Sequence, residues 1–268
     1  MVKNNNKTGW AVQLEFSIGL HEKDFVLLEE IKNFFGVGSI SKFYSESIRY
    51  RVFSIRDLQS IVNHFDKFGL ITQKRADYEL WKQAFMLVQA KKHLTVEGLG
   101  LILGVKASIN HGLSEQLKTA FPNILVVNRS AVKNQIIKDP HWLAGFTAAE
   151  GCFYISISKI NKIQLLFQLT QHKRDEQLKI NLIEYVDCGR VSPKNQNKEA
   201  YDFRVTNFYD IETKIIPFFS KYKIEGVKFK DFSGFCSVAD MLKTKAHLTK
   251  EGLELIRKIK AGMNTGRS

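Results

Sequence analysis

The sequence predicts an α+β protein built from two pseudo-symmetric repeats, on three observations. Motifs recur at near-constant displacement: Phe16-x-Ile18-x-x-His21-x-x-Asp24 returns 151 residues later as Phe167-x-Leu169-x-x-His172-x-x-Asp175. Ile61-Val62-x-x-Phe65-x-Lys67 returns 154 residues later as Ile215-Ile216-x-x-Phe219-x-Lys221, and at the same displacement Lys74-x-x-Asp77 returns as Lys228-x-x-Asp231. So do His93-Leu94-Thr95-x-Glu97-Gly98-Leu99, as His247-Leu248-Thr249-x-Glu251-Gly252-Leu253, and Asn110-x-Gly112, as Asn264-x-Gly266. An offset held over so many positions is duplication, not chance. In each copy, two-residue and helical periodicities also alternate in the same order. The third observation is a helix of small residues, 143–151, that ends on an acid at the head of the second copy.

In the first copy, Gln13 to Leu20 alternates, with Leu14, Phe16 and Ile18 on one face and Gln13, Glu15, Ser17 and Gly19 on the other, as in a half-buried strand. Phe25 to Phe35 has helical spacing, and Gly36-Val37-Gly38 ends it. Ser39 to Phe43 and Ile48 to Phe53 read as a hairpin, Tyr50 and Val52 inward, Arg49 and Arg51 outward. Asp57 to Phe68, Asp77 to Lys91 and Thr95 to Asn110 read as amphipathic helices, and Thr95 and Thr249 have the chemistry of N-caps. The second copy places strands at Phe153 to Ser158, Ile163 to Gln171, Gly189 to Ser192 and Ala200 to Val205. The expected divisions are 1–112, a basic connector 113–140 lying against the body through an apolar patch at Ile124 to Val127, and 141–268.

Forty Lys and Arg against 27 Asp and Glu leave +13, with a pI of about 9.5, so a polyanion is the natural partner: nucleic acid first, an anionic membrane second. The cations are spread along the chain, which favours a folded binding surface over a basic tail. No apolar run approaches the roughly 20 residues of a membrane helix, and no membrane partner is expected. Cys152, Cys188 and Cys236 are isolated, without a C-x-x-C pair, which supports neither a disulfide framework nor structural zinc.

The helix itself carries chemistry. Gly145 and Ala149, like Ala144 and Ala148, are four apart, so one face is bare enough for a second backbone to approach closely. Glu150 falls at the negative end of the helix dipole, where a cation is expected to meet it. LAGFTAAEG followed by Cys152-Phe153 resembles the signature helix of the single-chain LAGLIDADG homing endonucleases, which mobile introns encode, and the resemblance extends over residues 9–268. It implies two αββαββα-type halves whose antiparallel sheets form a DNA-binding saddle, and a monomer that cuts both strands of a specific DNA site in an organelle, the mitochondrion. It further implies that Glu150, with the Ala149 carbonyl, binds Mg²⁺ or another divalent cation, and that Lys74 and Lys228 join Glu150 as catalytic residues near the scissile phosphate.

The polar strand faces are the candidate DNA contacts. They comprise Gln13, Glu15, Ser17, Ser39, Ser41, Arg49 and Arg51 in one half, and Cys152, Tyr154, Ser156, Ser158, Gln164, Gln168, Thr170, Arg190, Ser192, Lys194, Asp202 and Arg204 in the other. Hydroxyls, amides and guanidinium groups read base edges, and cations anchor phosphates. His21 and His172 are expected to pack and hydrogen-bond, and His93 and His247 to be structural. The repeat departs from the family at one end: the offset puts the first copy's acid before residue 1, so the first signature helix and most of its strand are absent from this sequence. Asn4-Asn5-Asn6-Lys7 then reads as a turn from that strand, and the helix face of Leu143, Gly145, Phe146 and Ala149 is expected to be partly uncovered. Three alternatives stay open: an intron maturase acting on intron RNA, a DNA-binding protein that does not cleave, and a truncated form of an active enzyme whose upstream part supplies the first signature helix.

Overall fold

The computed structural model describes residues 1–5, 7–194 and 197–264, with the side chains of residues 197 and 198 excepted. Asn6 of the expected turn and Gly266 of the repeat lie outside the described residues. The chain forms two compact units, Met1–Lys133 and Asn134–Ser268.

In the first unit β1 (Val2–Lys3) pairs antiparallel with β2 (Trp10–Ala11), and the Asn4 N–H donates to the Gly9 carbonyl at 2.9 Å. There follow β3 (Phe16–His21), α1 (Phe25–Phe35), β4 (Ser39–Tyr44), β5 (Ser47–Val52), α2 (Ile55–Lys67), α3 (Lys74–Gln89), α4 (Val96–Ala107) and α5 (Glu115–Ala120). The antiparallel sheet has the order β3-β5-β4. Tyr50 and Val52 point into the core with Leu28, Leu58 and Ile61, all at most 1% exposed. α1 stops where expected, since Gly36 adopts φ 67° and returns its N–H to the Lys32 carbonyl. β3 begins three residues later than the alternation predicts. Val12 and Leu14 instead pack on a second cluster of Leu80, Ala84, Val88, Ile102 and Val105, which pulls residues 12–15 off the ladder.

The segment expected as a connector is divided between the units. Leu117 is buried beside Trp10, Leu99 and Leu103. The Val127 N–H donates to the Gly104 carbonyl at 3.2 Å, and Arg129 donates through Nε to Asp77 at 2.9 Å and through Nη2 to the Gln73 carbonyl at 2.6 Å. From residue 134 the contacts belong to the second unit: Gln135 donates to buried Asp175 at 2.5 Å and accepts from the Leu178 N–H at 3.1 Å.

The second unit runs α6 (Pro140–Glu150), β6 (Gly151–Ile157), β7 (Ile163–His172), α7 (Glu176–Val186), β8 (Arg190–Lys194), β9 (Asn197–Val205), α8 (Phe208–Asp210), a widened π turn (Ile211–Ile215), α9 (Ile216–Lys221), α10 (Lys228–Lys243) and α11 (Lys250–Ala261). Its antiparallel sheet has the order β6-β7-β9-β8. Beneath it Phe153 packs against Phe167, Phe219 and Phe235, with ring centroids 5.1, 5.7 and 5.3 Å away. Burying each such ring contributes a few kcal/mol, roughly 25 cal/mol per Å² of apolar surface removed from water.

The duplication is written into the backbone. Lys91 and Lys245 share φ near 60°, and so do Asn110 and Asn264 near 50°. Thr95 and Thr249 cap α4 and α11 by accepting the Gly98 and Gly252 N–H groups, each at 3.0 Å. One difference stands out. Phe16, Phe65, Tyr78 and Trp81, at the positions duplicated in Phe167, Phe219, Phe232 and Phe235, line an open cleft of about 420 Å³ beside Asn110, where the second unit is filled by Phe153.

Candidate nucleic-acid interface and catalytic residues

α6 is set by its ends. Asp139 accepts the His141 N–H at 2.8 Å, and Pro140, which has no N–H to satisfy, starts the first turn. The helix packs on β6 and β7 through buried Leu143, Ala144 and Thr147. Gly145, Ala149 and Glu150 are exposed and Phe146 is half-buried, stacked on Trp142 at 4.7 Å. Leu143, expected on the uncovered face, is only 1% exposed: its side chain turns to the unit's own core.

The helix passes into β6 without a linker. The Gly151 N–H donates to the Thr147 carbonyl, and a Cβ at Gly151 would lie 2.5 Å from that oxygen, so only glycine permits the turn. Glu150 is thereby held at a helix end whose last carbonyls point outward, and its carboxylate makes no hydrogen bond or ion pair with any described residue. Among the described residues no three His, Cys, Asp or Glu side chains converge on one point. The donors at this end are therefore one carboxylate and backbone carbonyl oxygen. Such hard oxygen donors suit Mg²⁺ in kind, since that ion commonly takes one or two carboxylates and completes its shell with water and phosphate oxygen.

The two lysines occupy matching places. Lys74 and Lys228 are the first residues of α3 and α10, and their Nζ atoms lie 3.8 and 3.7 Å from Asp77 and Asp231. Lys74 also donates to Asn110 Oδ1 at 3.2 Å. In the second unit buried Asp231 accepts the Asn264 N–H at 2.9 Å, and Asn264 Nδ2 donates to the Phe153 carbonyl at 3.0 Å. Burial pushes the Cys152 thiol up, opposed by the Lys228 charge. Through Asp231 and Asn264, Lys228 is thus tied to Phe153 in β6, the strand that begins one residue after Glu150. Nothing in the local sequence around Asp231 or Asn264 assigned them this supporting part, although both recur in the repeat.

Sheet register sorts the candidate contacts. Ser17 pairs with Arg51 and Arg51 with Ser39; Gly19 pairs with Arg49 and Arg49 with Ser41. Those side chains share the face opposite the core. Arg51 Nε donates to Glu15 at 3.0 Å, and the Arg49 guanidinium stacks 3.3 Å from the Phe43 ring centroid. Gln13 is exposed and Glu15 half-buried, both ahead of β3 instead of on it. In the second unit Cys152, Gln168, Arg204 and Arg190 form one row across four strands, and Thr170, Asp202 and Ser192 the next. Tyr154, Ser156 and Gln164 share that face, whereas Lys194 follows a register shift at the end of β8. Ser158 does not: it lies past β6 in the hairpin, where Oγ accepts the Lys162 N–H at 3.0 Å. Asp202, expected as a DNA contact, is 0% exposed and cannot touch a ligand, because Thr170 and Arg204 close over it. His21 and His172 accept the Lys23 and Arg174 N–H groups at 3.1 Å and stand 3.4 and 3.5 Å from Glu46 and Glu199, the packing and hydrogen-bonding part expected of them.

The LAGLIDADG endonuclease family model matches residues 1–85 and 143–239. The chain is 40% identical over 267 residues to the probable intron-encoded endonuclease 2 of Neurospora crassa, covering 95% of this chain and 59% of that relative's length. Among solved structures it is similar to the I-SmaMI LAGLIDADG homing endonuclease bound to cleaved DNA, at 44% identity and a TM-score of 0.96, covering 99% of this chain and 91% of that one. It is also similar to the homing endonuclease I-GzeII in complex with its DNA target, at 40% identity and a TM-score of 0.95, covering 99% and 93%. I-SmaMI is further known bound to an uncleaved DNA target in the presence of calcium ions, and with two lysines replaced together by alanine. With the family model matching in both units and solved relatives superposing along nearly the whole chain, this chain belongs to the LAGLIDADG endonuclease family.

Proposed function

We propose that the chain is a site-specific double-strand DNA endonuclease of the homing type, acting as a monomer by Mg²⁺-dependent phosphodiester hydrolysis in the mitochondrion. The observation that carries this reading is the continuity of α6 with β6: one turn of chain joins the Glu150 carboxylate to the polar strand face that begins at Cys152, and Asp231 and Asn264 link Lys228 to Phe153 in the same strand. The DNA-bound relatives and the intron-encoded relative support the substrate and the genetic setting.

A divalent cation at Glu150, with the Ala149 carbonyl, would supply an activated water and charge stabilisation at the leaving oxygen. The protein's own part is positional. The sheet faces hold the duplex through Arg and Lys on phosphates and through hydroxyls and amides on base edges. Lys228, restrained by Asp231, and Lys74, restrained by Asp77 and Asn110, each hold a positive charge for a phosphate. The other candidate contacts that lie on the strands, buried Asp202 excepted, complete the two faces.

Selecting a bound sequence from a randomised duplex pool, and offering it on a plasmid with Mg²⁺, tests the proposal. Glu150→Gln keeps the shape but not the charge, so cutting is expected to be abolished while binding stays within about threefold, since an uncharged amide is a poor Mg²⁺ ligand. Ca²⁺ in place of Mg²⁺ is expected to support binding without cutting. Undiminished cleavage by the Gln variant would overturn the role given to Glu150.

A further inference from the structure

We infer that Asp202 is a positioning residue that holds Arg204 as a fixed fork for a guanine, an inference that rests on the DNA-binding reading above. Four side chains on β7 and β9 close a ring of hydrogen bonds. Gln168 Nε2 donates to Thr170 Oγ1 at 3.1 Å, and Thr170 Oγ1 donates to Asp202 Oδ1 at 2.7 Å. Arg204 donates through Nη2 to Asp202 Oδ2 at 2.5 Å and through Nε to Gln168 Oε1 at 3.1 Å.

Burial divides the roles. Asp202 is fully buried, whereas the Arg204 side chain keeps about a third of its surface, 31%, in solvent. A carboxylate shut off from water is costly unless paired and hydrogen-bonded, and the ring satisfies both of its oxygens. Of the five guanidinium N–H groups two are used, which leaves both on Nη1 and the second on Nη2. Directed donors of this kind match the O6 and N7 acceptors that guanine presents in the major groove.

A phosphate is the competing ligand, and charge decides against it. Paired with Asp202, Arg204 is part of a neutral couple and has little net charge with which to displace counterions, but its donors keep their direction. Arg51 holds the duplicated register position in the first unit, where it donates to half-buried Glu15 at 3.0 Å and lies over the Phe53 ring, 5.3 Å from its centroid, with no buried carboxylate among its described partners. The second unit therefore has the stiffer fork.

The test compares base preference with salt dependence, using the full chain and a randomised duplex pool. The unaltered chain is expected to select a guanine at one position that Arg204→Lys no longer selects, with discrimination there falling about tenfold or more, the usual size of a bidentate base contact. Asp202→Asn is expected to relax the same position and also to steepen the log–log salt slope by up to about 0.9, because it frees the Arg204 charge for a phosphate. A purely structural Asp202 would weaken binding to all sequences alike and leave the slope alone. That result, or unchanged base preference in Arg204→Lys, overturns the inference even if Asp202→Asn fails to fold. Recovery of no duplex by the unaltered chain would sink the DNA-binding reading itself.

Discussion

Cys188 is 8% exposed, and burial, reinforced by the Asp210 carboxylate, pushes its thiol from the model-compound value of 9.0 up to about 11. A raised thiol pKa means that the folded state binds the proton more tightly, so this contribution to stability is fully present below pH 9 and is lost as pH rises through 11. Denaturant melts of the unaltered chain and Cys188→Ala should therefore diverge between pH 9 and 11, with the unaltered chain losing the more. Parallel curves across that window would show that the thiol does not titrate as its burial dictates. Asp202 illustrates what sequence reading loses at this scale. Alternation correctly put it on the polar face, but alternation says nothing of depth, and the side chains that bury it come from the same face: Arg204, two residues on, and Thr170 from the neighbouring strand. The place of Glu150 at the end of its helix and the matching places of Lys74 and Lys228 were legible because each sits in a motif. Their supports were not, since the bonds joining Asn264 to Asp231 and Phe153 span 33 and 111 residues.

At the scale of elements, legibility follows how locally each boundary is enforced. α1 was read to the residue because Gly36 at positive φ ends it with its own backbone. α3 starts three residues before its expected Asp77, because Thr72 Oγ1 accepts the Lys74 N–H at 3.2 Å and opens the helix early. The 113–133 segment was read as basic with one apolar patch, and the structure supplies what holds it: the backbone of 125–127 passes so close to α4 that a Cβ on Gly104 would lie 2.3 Å from the Leu125 carbonyl oxygen. Two effects oppose each other in Gly104→Ala. Helix propensity favours alanine by about 1 kcal/mol, while overpacking against backbone that cannot yield costs about 1–3 kcal/mol. Because the obstacle is a carbonyl and not a flexible side chain, the clash should win. Gly104→Ala is expected to lower the melting temperature and to speed proteolysis within 118–133. An unchanged melt and digestion pattern would mean that the segment shifts freely.

For the molecule as a whole, duplication was the most legible property, and it now separates cations by what they can do. Arg51 and Arg204 hold equivalent register positions, and each is tied to a carboxylate of its own unit. Arg49, stacked on Phe43, and Arg190, exposed at the head of β8, make no ion pair with a described residue. With a net charge of +13 the chain has long-range attraction to spare for any polyanion, so affinity alone cannot tell these pairs apart. Salt can. Each phosphate neutralised by a free cation adds about −0.9 to the slope of log affinity against log salt, whereas a cation already neutralised by a carboxylate adds little. Changing Arg49 and Arg190 together to glutamine is therefore expected to flatten the slope by about 2, with sequence preference largely kept. Changing Arg51 and Arg204 together should leave the slope nearly unaltered and relax preference at the base pairs they face. Equal flattening by the two double variants would show that all four arginines serve as phosphate anchors, and that the carboxylates beneath two of them do not restrict what those two bind.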